Sequence, residues 1–233
     1  MVSAIIVAAG RGMRMKNSLR KQYLLLAGRP VLAHTLLVFD TCSLIENIIL
    51  VVPKEDFDYC TEKVLSPITL RNNVTLVPGG AKRQNSVYNG LLSVDSKSAN
   101  IVVIHDGVRP FVSPEQLTAC IIGAKEYGAC IFGIPADSTL KQVNNSGYVD
   151  KTIERDTIWL AQTPQAFQYS LLIKAYDKAR REGFSGTDDA MLVEWLGGNV
   201  KVISGSKHNI KITTREDLAL AKTIFKTCFP ISV

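Results

Sequence analysis

The most constraining feature of this sequence is a regular alternation of apolar strand patterns with amphipathic helix patterns. Several strand patterns are continuous runs of valine and isoleucine, as expected for strands that are covered on both faces. The predicted strands are Ala4–Ala8, Asn47–Val52, Val74–Val77, Ile101–His105, Ala129–Ile134, Ile158–Gln162, Val200–Ser204 and Asn209–Thr213. This alternation predicts an α/β protein with a Rossmann-like, mostly parallel twisted sheet and helices on both faces.

Helix patterns fill the intervals between the strands, and two of them carry clear boundary signals. Ser113 and Pro114 are typical of a helix N-terminus, and Gly128 is typical of its end. The segment from Thr214 to Asp217 resembles a capping box. The predicted helices are Pro30–Asp40, Glu55–Val64, Arg83–Val94, Ser113–Tyr127, Tyr169–Glu182, Asp188–Leu196 and Thr214–Lys226. We predict a single domain over residues 1–233.

Glycine-rich or polar segments follow four of the predicted strands. They begin at Gly10, Pro78, His105 and Thr163. Parallel sheets of this kind bind ligands outside the carboxyl ends of their strands, and those ends share one edge of the sheet. We therefore expect these four segments to meet in one crevice.

The loop after the first strand predicts a polyphosphate ligand. Its small residues, which let backbone N–H groups approach a ligand closely, are Ala8, Ala9, Gly10 and Gly12. Basic residues follow at Arg14 and Lys21. A P-loop would have its second glycine at position 15, directly followed by lysine. A dinucleotide fingerprint would have its third glycine at that position. Met15 excludes both motifs, and a plain glycine turn with solvated cations remains the alternative.

Charge and composition favour a small anionic ligand. The chain has 27 Lys and Arg against 21 Asp and Glu, a net charge of +6. The basic residues recur at strand ends, which suits a focused anion site better than a nucleic-acid duplex. We see no apolar run long enough for a membrane span and no targeting segment, so we expect a cytoplasmic protein without membrane or nucleic-acid partners. The five cysteines and three histidines are too scattered for a metal cluster.

The segment from Asp137 to Asp156 interrupts the alternation and has the pattern of a β-hairpin. Two short strand patterns flank a turn at Asn144–Gly147. An isolated hairpin is marginally stable in water, and this one is too polar to form a core of its own. We predict that this β-arm, residues 137–156, protrudes and pairs with a second copy of the chain.

Seven motifs in fixed order make the chain resemble the 2-C-methyl-D-erythritol 4-phosphate cytidylyltransferase family of the non-mevalonate isoprenoid pathway. They are Ala8-Ala9-Gly10-x-Gly12-x-Arg14-Met15, Lys21-Gln22-Tyr23, Gly79-Gly80-x-x-Arg83-x-x-Ser86-Val87, His105-Asp106-x-x-Arg109-Pro110, Thr163-Pro164-Gln165, Thr187-Asp188-Asp189 and Asn209-Ile210-Lys211-Ile212-Thr213. Single motifs are weak, but the ordered set covers essentially the whole chain. The resemblance implies transfer of CMP from CTP to 2-C-methyl-D-erythritol 4-phosphate, with release of pyrophosphate.

The resemblance also implies a role for each motif. It makes Arg14, Lys21 and Lys211 the catalytic cations around the triphosphate. The implied CTP-binding residues are Ala8, Ala9, Gly10, Gly12, Gly79, Gly80, Arg83, Ser86 and Asp106. We expect Mg²⁺ to bridge phosphate oxygens, with Asp106 as the best available carboxylate ligand.

The acceptor substrate needs its own cation and hydroxyl partners. The positions that match the family's acceptor site are Asp106, Arg109, Thr139, Arg155, Thr163 and Thr187. Thr139 and Arg155 flank the hairpin, so the resemblance implies that they enter the site of the neighbouring subunit and that the active form is a homodimer.

Two alternatives stay open at the level of sequence. Ribitol 5-phosphate cytidylyltransferase shares most of these motifs, although the stretch around Arg155 and the Thr187-Asp188-Asp189 motif favour methylerythritol phosphate. A non-catalytic module that binds a nucleotide or a nucleic acid would bind CTP or RNA without releasing pyrophosphate.

Overall fold

The computed structural model describes residues 1–10 and 19–228, with the side chain of Cys228 left aside. A seven-stranded sheet forms its centre, in the order β11-β7-β10-β6-β1-β4-β5. Strand β10 is antiparallel to both of its neighbours, and the other four pairings are parallel. The strands of this sheet are β1 (Val2–Val7), β4 (Asn47–Val52), β5 (Val74–Pro78), β6 (Ile101–Asp106), β7 (Ala129–Pro135), β10 (Trp159–Gln168) and β11 (Lys201–Ser204).

Helices cover both faces of the sheet. They are α1 (Val31–Thr41), α2 (Phe57–Cys60), α3 (Arg83–Leu92), α4 (Pro114–Tyr127), α5 (Tyr169–Glu182), α6 (Asp189–Leu196) and α7 (Arg215–Cys228). Successive strand residues point to opposite faces. Ile6 accordingly belongs to a core with α1 and α4, whereas Ile5 belongs to a core with α3, α5 and α6. This arrangement confirms the predicted α/β fold class.

Two shorter antiparallel ribbons lie outside the main sheet. Strands β2 (Leu25–Leu26) and β3 (Arg29–Pro30) form a small ribbon that the sequence analysis did not predict. Strands β8 (Leu140–Val143) and β9 (Val149–Ile153) form the predicted hairpin. Its role in dimerisation, the limits 137–156 for the arm and the single domain over 1–233 stay predictions.

The helix boundary signals are confirmed in atomic detail. The Ser113 hydroxyl accepts a hydrogen bond from the Gln116 backbone N–H at 3.2 Å, at the start of α4. The Thr214 hydroxyl likewise accepts from the Asp217 N–H, and the Asp217 carboxylate accepts from the Thr214 N–H. Helix α2 continues the short helical turns Lys54–Asp56 and Thr61–Leu65, where the sequence predicted one helix over Glu55–Val64.

Two strand predictions need correction. Residues Asn209–Thr213 form no strand. Their backbone lies against the loop after β6 instead of a strand, and the Ile212 N–H donates to the Val108 carbonyl in that loop at 2.9 Å. Ile212 is instead buried against α7. The late strand predicted over Ile158–Gln162 extends to Gln168 as β10 and runs antiparallel to the central strands.

Within residues 1–10 and 19–228, no helix is long and apolar enough to cross a bilayer. Four cysteines in this part of the chain are buried free thiols, namely Cys42, Cys60, Cys120 and Cys130.

Candidate active site

The carboxyl ends of four parallel strands lie side by side, and three of them, β1, β5 and β6, are strands whose following segments the sequence predicted to meet. The ends of β5, β4, β1 and β6 are neighbours, and Val7 at the end of β1 pairs with Val51 and with Asp106. The Gln22 side chain donates to the Ala8 carbonyl at 2.7 Å. This bond holds the 3₁₀ turn Lys21–Tyr23, which includes Lys21, next to the end of β1.

An ion cluster centred on Asp106 occupies the edge. Asp106 Oδ1 lies 3.3 Å from Arg83 Nε, and Oδ2 lies 2.8 Å from Lys211 Nζ and 3.4 Å from Arg109 Nε. Burial by itself would raise the pKa of the Asp106 carboxyl, but the three cations hold it well below its usual range. Asp106 is therefore a carboxylate at any physiological pH.

The three cations reach Asp106 from separate parts of the chain. Arg83 is the first residue of α3 and comes directly after the glycine loop. Arg109 lies in the turn after β6, and its Nη1 donates to the Asn209 carbonyl at 2.7 Å. Lys211 lies in the loop that was predicted as a strand. Because neighbouring Ile212 packs into the core of α7, Lys211 is directed toward Asp106.

Strand β10 supplies a further contact to the cluster. The Asp106 backbone N–H donates to Thr163 Oγ1 at 3.1 Å, and Asn209 Nδ2 donates to the Thr163 carbonyl at 2.8 Å. Thr163 lies at an irregularity in the middle of β10, between Gln162 and Gln165. The sequence had placed it after a strand end, so the residue is correctly assigned to this edge although its local structure was not foreseen.

The glycine loop after β5 packs tightly on the end of β1. A Cβ at Gly79 would lie 2.3 Å from the Ala9 Cβ, and a Cβ at Gly80 would lie 2.4 Å from the Asn85 Cβ. The Ser86 hydroxyl accepts from the Gly80 N–H at 3.0 Å and donates to the Lys82 carbonyl at 3.1 Å. Ser86 therefore shapes the loop, and one lone pair of its oxygen is left to accept a further hydrogen bond.

The cluster has a second carboxylate that the sequence analysis gave no role. Arg83 Nη2 lies 2.8 Å from Oδ2 of Asp189, whose side chain is fully buried. Burial alone would lower the pKa of the Arg83 guanidinium, but Asp189 and Asp106 raise it. Three cations thus face two carboxylates. The motif Thr187-Asp188-Asp189 was the signal available in the sequence, but spacing alone did not pair Asp189 with Arg83.

His105 is a buried neutral imidazole next to the cluster. Its Nε2 lies 3.0 Å from the Arg109 carbonyl, and burial lowers the pKa of His105 to about 4. The ring packs on Phe39, with 4.9 Å between the ring centroids. His105 thus supports the turn that carries Arg109 and adds no charge to the site near neutral pH.

For some predicted site residues, the structure gives contacts other than those with the Asp106 cluster, and two more are not described. Thr139 and Arg155 are exposed at the base of the hairpin, where Arg155 Nη1 donates to the Asp137 carbonyl at 2.8 Å. Thr187 is exposed directly before α6, and its hydroxyl contacts the Met191 sulfur at 3.6 Å. Gly12 and Arg14 lie outside the described residues. Their assignments stay predictions.

The residues present suit a metal ion that would be coordinated mainly by a bound substrate and only in part by the protein. Over residues 1–10 and 19–228, no group of three or more His, Cys, Asp or Glu side chains could hold an ion. Both oxygens of Asp106 contact cations. Mg²⁺ in nucleotide enzymes is commonly bound by one or two carboxylates together with substrate phosphates. Asp189 is fully buried, so Asp106 is the carboxylate of the cluster that is left for a metal ion, and one such ligand suits that mode.

A mixed sheet with a net-cationic cluster at the ends of its parallel strands defines an α/β nucleotide-handling enzyme. Comparison with known proteins makes the class specific. The model of the family described as IspD: 2-C-methyl-D-erythritol 4-phosphate cytidylyltransferase matches residues 2–227. The chain belongs to this family.

Relatives of nearly equal length support the assignment. A protein of Syntrophus aciditrophicus with that same name is 48% identical over 225 residues, which are 97% of this chain and 96% of the relative. A protein of Pelotomaculum thermopropionicum, also named 2-C-methyl-D-erythritol 4-phosphate cytidylyltransferase, is 44% identical over 225 residues, covering 97% and 94%.

Solved structures agree with the fold. The crystal structure of 4-diphosphocytidyl-2C-methyl-D-erythritol synthase from Anaerococcus prevotii matches with a TM-score of 0.86 and 36% identity, over 97% of this chain and 96% of that one. The 2-C-methyl-D-erythritol 4-phosphate cytidylyltransferase of Francisella tularensis matches with a TM-score of 0.80 and 34% identity, over 95% and 98%. The family resemblance that the ordered motifs indicated is confirmed.

Proposed function

We propose that the chain transfers CMP from CTP to 2-C-methyl-D-erythritol 4-phosphate in isoprenoid precursor biosynthesis. An acceptor phosphate oxygen forms a bond to the α-phosphorus of CTP, and the bond from that phosphorus to the bridging oxygen of the β-phosphate breaks. The products are 4-diphosphocytidyl-2-C-methyl-D-erythritol and pyrophosphate. The observation that carries the proposal is the Asp106 ion cluster at the strand ends in a chain of this family.

A cationic site without a strong base suits this chemistry. The attacking phosphate is already an anion, so no proton has to be removed from it. The barrier lies in bringing two polyanions together and in stabilising negative charge at the α-phosphate and the leaving pyrophosphate. Fixed cations and exact positioning supply both effects. We assign this role to Lys21, Lys211 and Arg14.

The glycine loop is our candidate for binding the cytosine ring. Its close packing on Ala9 holds the loop next to the phosphate-binding end of β1. Backbone groups at Gly79 and Gly80 can approach a base edge, because neither residue has a side chain. The free lone pair of the Ser86 oxygen suits the amino group of cytosine. Ala8, Ala9 and Gly10 are the proposed backbone contacts to the triphosphate.

The acceptor is proposed to bind on the other side of the cluster. Arg109 and Thr163 lie next to Asp106 there, and Thr187 is the further candidate. Arg suits the acceptor phosphate through its planar guanidinium. We propose that Thr139 and Arg155 reach the same site from a second copy of the chain, in a homodimer.

Mg²⁺ is the proposed cofactor. Asp106 and the phosphate oxygens of CTP would hold it, and it would supply positive charge at the phosphates. A cytoplasmic location and the absence of nucleic-acid and membrane partners likewise stay predictions.

A pyrophosphate-release assay tests the function. Purified protein is given CTP and Mg²⁺ with 2-C-methyl-D-erythritol 4-phosphate, with ribitol 5-phosphate, or with no acceptor. We expect turnover with the methylerythritol acceptor, loss of turnover with EDTA and recovery with excess Mg²⁺. Faster turnover with ribitol 5-phosphate would make the chain the sister enzyme. CTP or RNA binding without pyrophosphate release would make it a binding module.

A further inference from the structure

We infer that Asp189 and Tyr176 are positioning residues that hold Arg83 against Asp106, an inference that rests on the proposed function. The Arg83 guanidinium spans the two carboxylates, with Nη2 2.8 Å from Asp189 and Nε 3.3 Å from Asp106. The Asp189 side chain is fully buried, whereas the Arg83 side chain is 28% exposed. Asp189 therefore acts on the site through the guanidinium.

Asp189 is satisfied at both of its oxygens. Oδ2 accepts from Arg83, and Oδ1 accepts from the buried Tyr176 hydroxyl at 2.5 Å. Burial raises the pKa of Tyr176, and the neighbouring Asp189 charge raises it further, so the phenol stays protonated and donates. A buried carboxylate is costly unless it is paired and hydrogen-bonded. These two partners meet that requirement, and both fix the direction of the carboxylate.

Strand β10 sets the separation of the two carboxylates. Thr163 Oγ1 accepts from the Asp106 N–H at 3.1 Å, and Gln165 Oε1 accepts from the Asp189 N–H at 3.2 Å. These two residues are two positions apart on one strand of the central sheet. The Arg83 guanidinium is thereby held in one geometry before CTP arrives.

This geometry has a kinetic consequence. With Asp189 in place, the Arg83 guanidinium keeps its ion pair with Asp106, and it meets the phosphates of bound CTP from that fixed position. A released guanidinium would contact the phosphates of the ground state as readily as those of the transition state. Such uniform binding does not raise kcat, whereas lost positioning lowers it. Loss of Asp189 should therefore lower kcat without raising the KM for CTP.

The first test compares three variants by steady-state kinetics. We expect Asp189→Asn to lower kcat about tenfold or more with no increase in the CTP KM, and Tyr176→Phe to change kcat in the same direction. Tyr88→Phe is the matched control, because it removes a hydrogen bond from the Tyr88 hydroxyl to Asp177 of α5 at 3.0 Å. Its kcat should stay within about twofold of wild type.

A double-mutant cycle separates positioning from general destabilisation. In an Arg83→Gln background, Asp189→Asn should lower kcat less than about twofold, because the guanidinium that Asp189 positions is absent. The inference would be overturned if Asp189→Asn lowered kcat by the same factor in both backgrounds, or if Tyr88→Phe lowered kcat as much as Asp189→Asn does. If Asp189→Asn does not fold, Tyr176→Phe is measured in the same cycle with the same criteria. Failure of the wild type to release pyrophosphate would instead refute the proposed function.

Discussion

Asp106 organises the site at the scale of single residues. One carboxylate holds three cations that come from the start of α3, from the turn after β6 and from the loop before α7. Each guanidinium has five N–H donors, and the lysine has three. The cations can therefore contact phosphate oxygens without leaving Asp106, which keeps their positions independent of the ligand.

Removal of either lysine that we propose as a catalytic cation should lower turnover and leave the fold intact. We expect Lys211→Ala to lower kcat about 100-fold or more, by analogy with the loss of one charge-stabilising donor. Lys21→Ala should have an effect of the same order. Steady-state pyrophosphate release measures the effect, and circular dichroism checks the fold.

Lys207→Ala is the matched control for Lys211→Ala. Lys207 lies four positions earlier in the same loop, and its ion pair with Asp137 is exposed on both sides. Exposed pairs contribute about 0–1 kcal/mol to stability, so kcat should remain near the wild-type value. Near-normal turnover of both Lys21→Ala and Lys211→Ala would refute the roles assigned to the two lysines.

At the scale of elements, the site depends on close packing between loops. Gly79→Ala places a methyl group 2.3 Å from the Ala9 Cβ, a distance that neither short side chain can relieve by rotation. The loop must move away from β1, and we expect the KM for CTP to rise about tenfold or more. Calorimetric titration with CTP measures the affinity directly.

A compensating variant tests the steric cause of this effect. Ala9→Gly removes the methyl group that the new side chain would meet, while the next contact, to the Ser86 hydroxyl, would remain at 3.4 Å. The double variant Ala9→Gly, Gly79→Ala should therefore bind CTP more tightly than Gly79→Ala alone. If the losses of CTP affinity from Ala9→Gly and Gly79→Ala simply added in the double variant, the clash would not be the cause.

Asp40 connects two elements far from the site, and its contribution to the free energy of unfolding depends on pH. Its carboxylate accepts from the Arg71 and Asn72 backbone N–H groups at 2.9 and 2.8 Å, which ties α1 to the loop before β5. Burial would raise the pKa of Asp40, but these hydrogen bonds hold it below its usual value. Asp40→Ala should lower the free energy of unfolding by about 1–3 kcal/mol at pH 7.

The sign of the pH dependence follows from the lowered pKa. An unfolded aspartate titrates near pH 4, so the Asp40 contribution is fully present above about pH 4 and is lost as pH falls through the lower folded value. Urea unfolding should therefore show a wild-type advantage over Asp40→Ala that shrinks by about pH 3. Exposed Asp58→Asn should change stability by less than about 0.5 kcal/mol. A pH-independent advantage would contradict the assignment.

At the scale of the whole molecule, the dimer proposal predicts that one chain by itself holds only part of the acceptor site. Arg155 contacts the Asp137 carbonyl at the base of the hairpin instead of the Asp106 cluster. Under the dimer proposal, Arg155→Ala should raise the acceptor KM and leave CTP binding unchanged. Kinetics with varied acceptor and calorimetry with CTP separate the two effects, and weaker CTP binding would contradict the proposed role.

Subunit mixing tests whether the partner supplies Arg155. Lys211→Ala and Arg155→Ala are both defective alone, but a mixed dimer would contain one intact site if the two residues come from different chains. Random equal mixing yields about half mixed dimers, so about a quarter of all sites would be intact. Recovery of activity toward that fraction supports the dimeric site. No recovery, after mixed dimers have been verified, contradicts it.

The sequence predicted which residues gather at the sheet edge better than it predicted their local structures. Asp106 and Arg83 were found because polar residues that follow apolar strands must meet at one sheet edge. Lys211 was assigned to a strand because Ile-Lys-Ile alternates, although a loop held by one buried isoleucine produces the same pattern. The direction of β10 and the pairing of Arg83 with Asp189 depend on long-range contacts that leave no local signal.

What the sequence determined by itself was the order of buried strands and amphipathic helices, since hydrophobic periodicity and helix caps are local properties of the chain. It also determined which end of the sheet carries the polar and glycine-rich segments. Tertiary structure alone decided which charges meet. The Asp106 contacts join positions 23 to 105 residues apart in all but one case, and such contacts arise only when the packed sheet brings separate loops to one edge.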